Sequence, residues 1–559
     1  MKPVSPLTLA YRKYRAILFA TVVFSFFVNL LMFVGPLYML QIYHRVLTSR
    51  NDTTLIMLST IAIGLLLTYG LLEYVRSRML VRTGLQFDDA LASPMFHRVI
   101  KLQAVSPGNG SRALGDADKV RDFITGQGVL SFFDAPWVPL FVALVYLFHP
   151  WLGIVSTVGA VVIFTLALLN EITTRKRLEQ ASIAGAEASK FASTTLVNSE
   201  VIRAMGMEKS LSDRWMQFRN TMLVEQAVAS DRAGIVIAAS KFVRMVLQIA
   251  ILGVGAYLVM RQEISPGIMI AASIVMGRAL APVEQAVGQW KVFVAARDAD
   301  KRLRDLFDSV PADEEKISLP TPSGSLDVSG VSSVIPGTKI PVLRNINFSL
   351  EPGETLAVIG PSGSGKSSLI RHLVGVWHPL EGSIRLDSAE LRNWKNDELG
   401  RHIGYLPQDV KLFPGTVAEN ISRFAESPSD EDIVTAATLA GAHDLIQHFQ
   451  SGYGTDVGIG GSSLSGGQKQ RVGLARAVYK LPSLIILDEP NANLDSAGEE
   501  ALQNCLIELK KRGKTVIVVT HKANLLSMAD KTLVLNNGTL QRFGTTKDIF
   551  QKPSVVAVQ

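Results

Sequence analysis

Gly360-Pro361-Ser362-Gly363-Ser364-Gly365-Lys366-Ser367 follows the apolar run Leu356-Ala357-Val358-Ile359 and opens a stretch, residues 366–376, patterned as a helix. A G-x-x-x-x-G-K-[ST] loop between a buried strand and a helix is a phosphate cradle. Its glycines let backbone N–H groups curl round β- and γ-phosphates, and the helix N-terminus adds a favourable dipole. Lys366 supplies a point charge, and the Ser367 hydroxyl is a ligand for Mg²⁺. The candidate nucleotide-binding residues here are Gly360, Pro361, Ser362, Gly363, Ser364, Gly365, Lys366, Ser367 and Ser368.

Downstream, Leu484-Ile485-Ile486-Leu487 reads as a second buried strand and ends in Asp488-Glu489. Beside a phosphate loop the two carboxylates take different tasks. Asp488 holds Mg²⁺ through water, and Glu489 orients and deprotonates an attacking water as general base. Acidic residues at a strand end are often only solvated turn residues, and it is the phosphate loop that favours the catalytic reading. Strands at 355–360, 484–487 and 515–520 alternate with helices at 366–376 and 501–512, an α/β pattern with a largely parallel core. This domain is expected over 326–559. Residues 301–325, charged as far as Lys316 and then carrying Pro320, Pro322, Gly324 and Ser325, read as a linker.

Residues 1–300 are of another kind. The whole chain of 559 residues is 48% hydrophobic and only 19% charged, below the ~25% of charged residues usual in soluble domains. Uncharged runs cover 17–40, 53–72, 135–148, 151–170, 245–260 and 264–277. A helix of ~20 residues crosses the ~30 Å of hydrocarbon, so the shorter runs must draw in flanking polar residues such as Asp134, Arg244 and Arg278. Six spans are expected, because six such runs without a strand alternation do not suit buried soluble helices. The first run is longer than a signal-peptide core of ~7–15 residues and lacks a small-x-small cleavage site, so it reads as a retained span.

Lys and Arg set the orientation. Lys2, Arg12, Lys13 and Arg15 precede the first span, and the connections 76–130 and 171–232 are dense in both residues. The opposite connections carry only Arg45, Arg50 and Arg261. The positive-inside rule therefore places both termini in the cytoplasm, and the net charge of +7 is accounted for by lipid-flanking loops with no nucleic acid partner. The two long connections exceed plain loops and are expected as helical extensions, with 178–190 a solvated helix and 106–111 a turn. The single cysteine, Cys505, rules out a disulfide framework and a cysteine metal cluster.

Leu464-Ser465-Gly466-Gly467-Gln468, ahead of a helix at 469–480, is more specific. Gln408 follows Tyr405-Leu406-Pro407, Asn493-Leu494-Asp495 follows the carboxylate pair, and His521 follows Val518-Val519-Thr520. In this order the set resembles the ATP-binding cassette (ABC) proteins. The resemblance implies ATP with Mg²⁺, with Gln408 touching the metal and the attacking water and His521 contacting the γ-phosphate. Lys366, Gln408, Glu489 and His521 then form the catalytic set, and Ser367, Gln408 and Asp488 the metal set. It further implies that the phosphate loop of one subunit pairs with Ser465, Gly467 and Gln468 of another, which requires a homodimer. Two positions depart from the family. Ile335 stands before Pro336-Gly337 where an aromatic usually stacks on adenine, and Ile459 stands where many exporters carry a Glu facing the membrane domain.

Six spans ahead of one cassette resemble an exporter half-transporter: a membrane all-α six-span ABC exporter domain fused to an α/β P-loop nucleotide-binding domain. Asn29-Leu30-Leu31-Met32, Asp134-Ala135-Pro136-Trp137, Gly375-Val376-Trp377-His378-Pro379 and Pro490-Asn491-Ala492-Asn493 resemble the type I protein-secretion exporters, in the metalloprotease-exporting branch. With sixteen residues before the first span and Cys505 in the ATPase domain, no leader-peptidase domain is expected. The resemblance implies ATP-driven export of an unfolded polypeptide across the bacterial inner membrane. The implied partners are a periplasmic membrane-fusion adaptor and an outer-membrane channel. A lipid or drug exporter of the same architecture is the alternative. Glu489 and His521 speak for turnover rather than an ATP-gated channel, and the six spans speak against a DNA-repair cassette ATPase.

Overall fold

The computed structural model describes residues 6–105, 110–310 and 316–551. The chain divides into two compact units, one within residues 1–312 and the other over 313–559 apart from a three-residue exchange near 105. Of the turn expected at 106–111, residues 106–109 lie outside the described residues.

The first unit is all helical. It contains α1 (Pro6–Leu31), α2 (Val34–Gln41), a π turn (Ile42–Val46), α3 (Leu47–Ser49), α4 (Asp52–Val105), α5 (Gly110–Thr125) and α6 (Gln127–Asp134). There follow α7 (Val138–Phe148), α8 (Pro150–Leu196), α9 (Ser199–Ala204), α10 (Glu208–Met260), α11 (Pro266–Gly288) and α12 (Trp290–Ser309). Six of its helical stretches are long and apolar enough to cross a membrane, and each takes up one of the six uncharged runs. The long connections are continuations of the spans: α4, α8 and α10 run on for 54, 47 and 53 residues. Local signals set the starts. Pro150 and Pro266 occupy first-turn positions, where a missing N–H is harmless, and His149 and Ser265 cap α8 and α11. The apolar core gathers Phe33, Phe141, Leu152, Ile163, Ile251 and Met276, while Leu67, Phe242 and Ile249 point outward, as lipid-facing side chains do.

A buried polar network crosses this unit. Thr21, Ser25 and Asn29 form a fully buried stripe on α1. Arg76 Nη1 donates to Asp134 Oδ1 at 2.7 Å and to Ser25 Oγ at 2.9 Å, Asn29 Nδ2 donates to the same Asp134 oxygen at 2.9 Å, and Glu73 pairs with Arg76. Asp134 is thus neutralised within the helices, as a charge at that depth requires. Arg278 differs: it is exposed on α11, and among the described residues no ion pair or hydrogen bond holds it.

The expected linker is shorter than 301–325. Helix α12 continues to Ser309 because residues in that charged stretch have an apolar face: Ala299, Leu303, Leu306 and Phe307 are buried, and Arg302 forms a two-pronged pair with the buried Asp116 of α5. The first strand of the second unit, β1, begins at Leu326.

That unit has two sheets. β1 (Leu326–Val334), β2 (Pro341–Leu350), β4 (Glu381–Leu386) and β5 (Ala389–Glu390) form an antiparallel sheet in the order β2-β1-β4-β5. β3 (Thr355–Ile359), β6 (Ile403–Leu406), β7 (Leu484–Asp488), β8 (Thr515–Val519), β9 (Lys531–Asn536) and β10 (Thr539–Thr545) form the second, in the order β10-β9-β3-β8-β7-β6. All pairs from β9 to β6 are parallel, with Thr355 opposite Val516, Leu484 opposite Thr515 and Ile403 opposite Leu484. Its helices are α13 (Lys366–Leu373), α14 (Asn396–His402), α15 (Val417–Ile421), α16 (Asp430–Leu439), α17 (His443–Gln447), α18 (Gly466–Val478), α19 (Ser496–Lys511), α20 (Ala523–Leu526) and α21 (Thr546–Gln551). Strands β7 and β8 are buried at every position, which is why they read as continuous apolar runs.

Candidate active site

Strand order creates the site. In an open parallel sheet, ligands bind beyond the carboxyl ends of the strands. Here β3, β6, β7 and β8 deliver Gly360, Gln408, Glu489 and His521 to that one edge, with β3, β8, β7 and β6 as successive neighbours.

The phosphate loop leaves β3 at Gly360, whose φ of +155° and closeness to Leu535 O, 2.1 Å from where a Cβ would lie, leave no room for a side chain. Gly365, at φ +101°, is the N-cap of α13. Lys366 is buried and folds back over the loop, Nζ donating to Gly360 O at 2.7 Å and Pro361 O at 3.0 Å. Ser362 and Gly363 are exposed, and a Cβ at Gly363 would meet nothing within 4 Å. Ser364 Oγ is buried and, among the described residues, has no hydrogen-bond partner. The loop thus leaves the backbone at Ser362 and Gly363 open with the Lys366 cation folded against it, an arrangement that fits a polyphosphate. Ser367 is exposed, and Ser368 carries its carbonyl to His372 Nδ1 at 2.7 Å.

Asp488 ends β7 and is 4% exposed. Burial and the neighbouring Glu489 charge raise its pKa, against the hydrogen bond with Ser367 and the charges of Lys366 and Arg371. A carboxylate held under that penalty gains from a cation. Among the described residues no three His, Cys, Asp or Glu side chains converge as a metal cage. Ser367 and Asp488 instead make a sparse oxygen pair, the donor set that suits Mg²⁺ shared with phosphate oxygens.

Glu489 is the meeting point. Its backbone sits at φ +50°, and its N–H donates to Val519 O at 3.0 Å, so strand β8 fixes the turn. Gln408 Nε2 donates to Glu489 Oε2 at 2.9 Å, and His521 Nε2 stands 4.0 Å from Glu489 Oε1. A non-glycine residue held in the left-handed region at the tip of a buried strand is the kind of strain that collects at functional sites.

The signature segment lies elsewhere in the protomer. Ser465 caps α18 with a reciprocal box: Ser465 Oγ accepts from Gln468 N, and Gln468 Oε1 accepts from Ser465 N at 2.8 Å. Gly466 and Gly467 pack on Asn493. Among the described residues none of the hydrogen bonds of Ser465, Gly467 or Gln468 reaches the phosphate loop of the same chain. Two contacts not foreseen from the sequence tie α18 to the segment after Glu489, and a third closes that segment onto α19. The buried Gln470 donates to Pro490 O at 3.0 Å, Arg471 donates to Asp495 Oδ1 at 2.8 Å, and Asp495 caps α19 through Gly498 N. The polar residues four to six positions after Ser465 were the available signal. Ile335 lies half-exposed in the β1–β2 turn, and Ile459 is 85% exposed on a glycine-rich turn.

Six membrane-competent helices followed by one phosphate-loop ATPase domain define a half-transporter of the exporter type. Residues 18–280 match the profile of the ABC transporter transmembrane region, and residues 343–492 match that of the ABC transporter. The chain is 43% identical over 542 residues to the type I secretion system ATP-binding protein PrsD of Rhizobium meliloti, covering 97% of this chain and 93% of that protein. It is 27% identical over 548 residues to the α-hemolysin translocation ATP-binding protein HlyB of Escherichia coli, covering 97% and 77%. A bacterial Atm1-family ABC exporter solved with ATP bound shares the fold with a TM-score of 0.79 at 21% identity, covering 96% of each chain. The chain belongs to the ABC transporters of type I secretion systems. It is a multi-pass membrane protein and an ATP hydrolase coupled to transport.

Proposed function

We propose that this protein is the inner-membrane ABC component of a type I secretion system and exports an unfolded polypeptide, with both termini and the ATPase domain in the cytoplasm. The observation that carries the reading is the 43% identity to a type I secretion ATP-binding protein over 97% of the chain. The convergence of Gln408, Glu489 and His521 beside the phosphate loop supports turnover.

In this reading residues 360–368 hold the phosphates of ATP, with Lys366 leaving its two carbonyl partners for them. Ser367, Asp488 and Gln408 hold Mg²⁺, which when bound offsets phosphate charge. Glu489 takes the proton of the attacking water, Gln408 orients that water, and His521 contacts the γ-phosphate. Ser465, Gly467 and Gln468 of a second copy close the site, since in the same chain Ser465 and Gln468 bond each other and Gly467 packs on Asn493. Apolar contact with Ile335 serves adenine. A periplasmic adaptor and an outer-membrane channel continue the path.

Deletion of the transporter from its host, with secreted proteins compared by mass spectrometry, tests this. Loss of particular polypeptides from the medium, restored by the parent chain and not by Glu489→Gln, is the expected result. An unchanged set of secreted proteins together with an altered membrane lipid composition would transfer the assignment to lipid export.

A further inference from the structure

Arg423 is a largely buried cation that, among the described residues, has no carboxylate partner. All four of its hydrogen bonds go to backbone carbonyls: Nε to Arg476 O at 3.0 Å, Nη2 to Ala477 O at 3.0 Å, and Nη1 to Gly400 O at 2.6 Å and Ile403 O at 3.3 Å. Arg476 and Ala477 are in the last turn of α18, Gly400 is in the last turn of α14, and Ile403 begins β6. One guanidinium thus satisfies the otherwise unpaired carbonyls of two helix ends and sits at their negative poles. Burial, with the nearby Arg476 charge, pushes its pKa down to about 10, so it stays charged at neutral pH.

Arg423 is itself held firmly. It follows α15, whose start carries a capping box between Thr416 and Glu419 and whose buried Asn420 bridges Phe413 and Thr416. Arg423 and Phe424 then both adopt positive φ, which turns the side chain back into the domain.

Three further contacts bind α18 to the segment that starts with β6. A Cβ on Gly404 would lie 2.2 Å from Ala477 O, so strand and helix end meet backbone to backbone. A Cβ on Gly473 would lie 2.6 Å from Val410 Cγ1, so the loop after Gln408 lies in a notch of the helix. Arg476 Nη1 donates to Lys411 O at 3.1 Å. Gln408 is on one arm of this joint, and Ser465 is at the far end of the other.

We infer that Arg423 is a positioning residue for hydrolysis: it pins the C-terminal end of α18 to β6, so that Ser465 at the start of that helix and Gln408 beyond that strand move as one piece. Rotation of a 13-residue helix, about 20 Å long, by 10° about the pinned end carries Ser465 through roughly 3 Å. With the pin in place such a rotation is passed on to β6, so that Gln408 shifts with Ser465, while Gln470 and Arg471 hold the segment after Glu489 to the same helix. Engagement of the signature segment is thereby coupled to the water-orienting amide. The inference rests on the proposed role of Gln408.

A double-mutant cycle on the full-length protein in detergent tests it, using Arg423→Met, Gln408→Ala and both together. ATPase kcat and KM are measured, with ATP affinity read from a fluorescent analogue and unfolding followed by heat. Arg423→Met should lower kcat about tenfold with KM and analogue affinity nearly unchanged, and should lower it less than twofold further in the Gln408→Ala background. Arg423→Lys, which keeps the charge but cannot span four carbonyls, should fall between parent and Met and serves the same cycle if the Met variant does not fold. Losses that multiply in the double variant, or a fall in affinity equal to the fall in kcat, would overturn the pin. Should Gln408→Ala alone turn over at the parent rate, the role of Gln408 fails first, and a loss confined to Arg423 variants would again refute the coupling.

Discussion

Gln408 and Glu489, 81 positions apart, are joined by a 2.9 Å hydrogen bond from the amide of one to the carboxylate of the other. Strands β6 and β7 are parallel neighbours in register, Leu406 opposite Leu487, so the residues just beyond their ends meet above the same edge. The bond holds the Glu489 carboxylate at the mouth of the site, beside the imidazole of His521.

Glu489→Gln keeps the shape and hydrogen-bonding reach of this position but cannot accept a proton. Steady-state ATPase should fall by about a hundredfold or more, the usual scale for a lost general base. Binding of a fluorescent ATP analogue should stay close to that of the parent. A variant that still hydrolyses at half the parent rate would remove Glu489 from the base role.

Asp488→Asn should separate stability from activity. Burial and Glu489 raise the Asp488 pKa, so the folded state binds that proton more tightly than the unfolded chain. Stability then falls as pH rises from the ordinary aspartate range through the raised value. The variant lacks the charge, so without nucleotide the protein should unfold at a temperature a few degrees higher at pH 7, with the gap closing on acidification, while ATPase is lost. Equal unfolding temperatures at pH 7 would contradict the burial penalty.

Asp116 works in the opposite direction. Burial alone would raise its pKa, but hydrogen bonds from Arg302 and Lys119 more than offset this and hold the pKa low. Its contribution is therefore present above the ordinary aspartate range and lost as pH falls through the lowered folded value. Asp116→Ala, which leaves Arg302 without its partner between α5 and α12, should cost about 2 kcal/mol at pH 7. The difference in unfolding temperature from the parent should shrink as the pH is lowered. A deficit of the same size at every pH would point to packing instead.

Cys505 is fully buried, and burial pushes its thiol up to about 12. The folded protein should not react with a thiol reagent at pH 8, and should release one equivalent on denaturation. That silence makes Arg278→Cys a clean probe. Position 278 is exposed on α11, and a cation at membrane depth needs water or a partner. A membrane-impermeant maleimide should label it in at least one nucleotide state, and protection in all of them would argue against a wet path along this helix.

The phosphate loop, the carboxylate pair on β7 and the six apolar runs were legible because each is a contiguous signal. A glycine loop needs positive φ at fixed spacing, a buried parallel strand must be apolar throughout, and a span must be long and uncharged. Boundaries followed less closely. The helix expected at 366–376 stops at Leu373, before Gly375 at φ +75°, and that expected from 501 starts at Ser496 because Asp495 caps it. The linker expected from 301 was overrun by α12, since a charge-rich stretch hides an apolar face repeating every three to four residues.

Composition, motif order and hydropathy along the chain thus determined a six-span exporter with one cassette ATPase and singled out candidate residues for ATP. Only the tertiary structure decided that Arg76 and Asn29 neutralise Asp134, that among the described residues no such partner meets Arg278, and that among them Arg423 answers four carbonyls rather than an acid. The physical reason is common to all three: the energy of a buried charge is set by which atoms surround it, and those atoms are brought together by helix packing and strand order across tens to hundreds of residues, where no local sequence pattern records them.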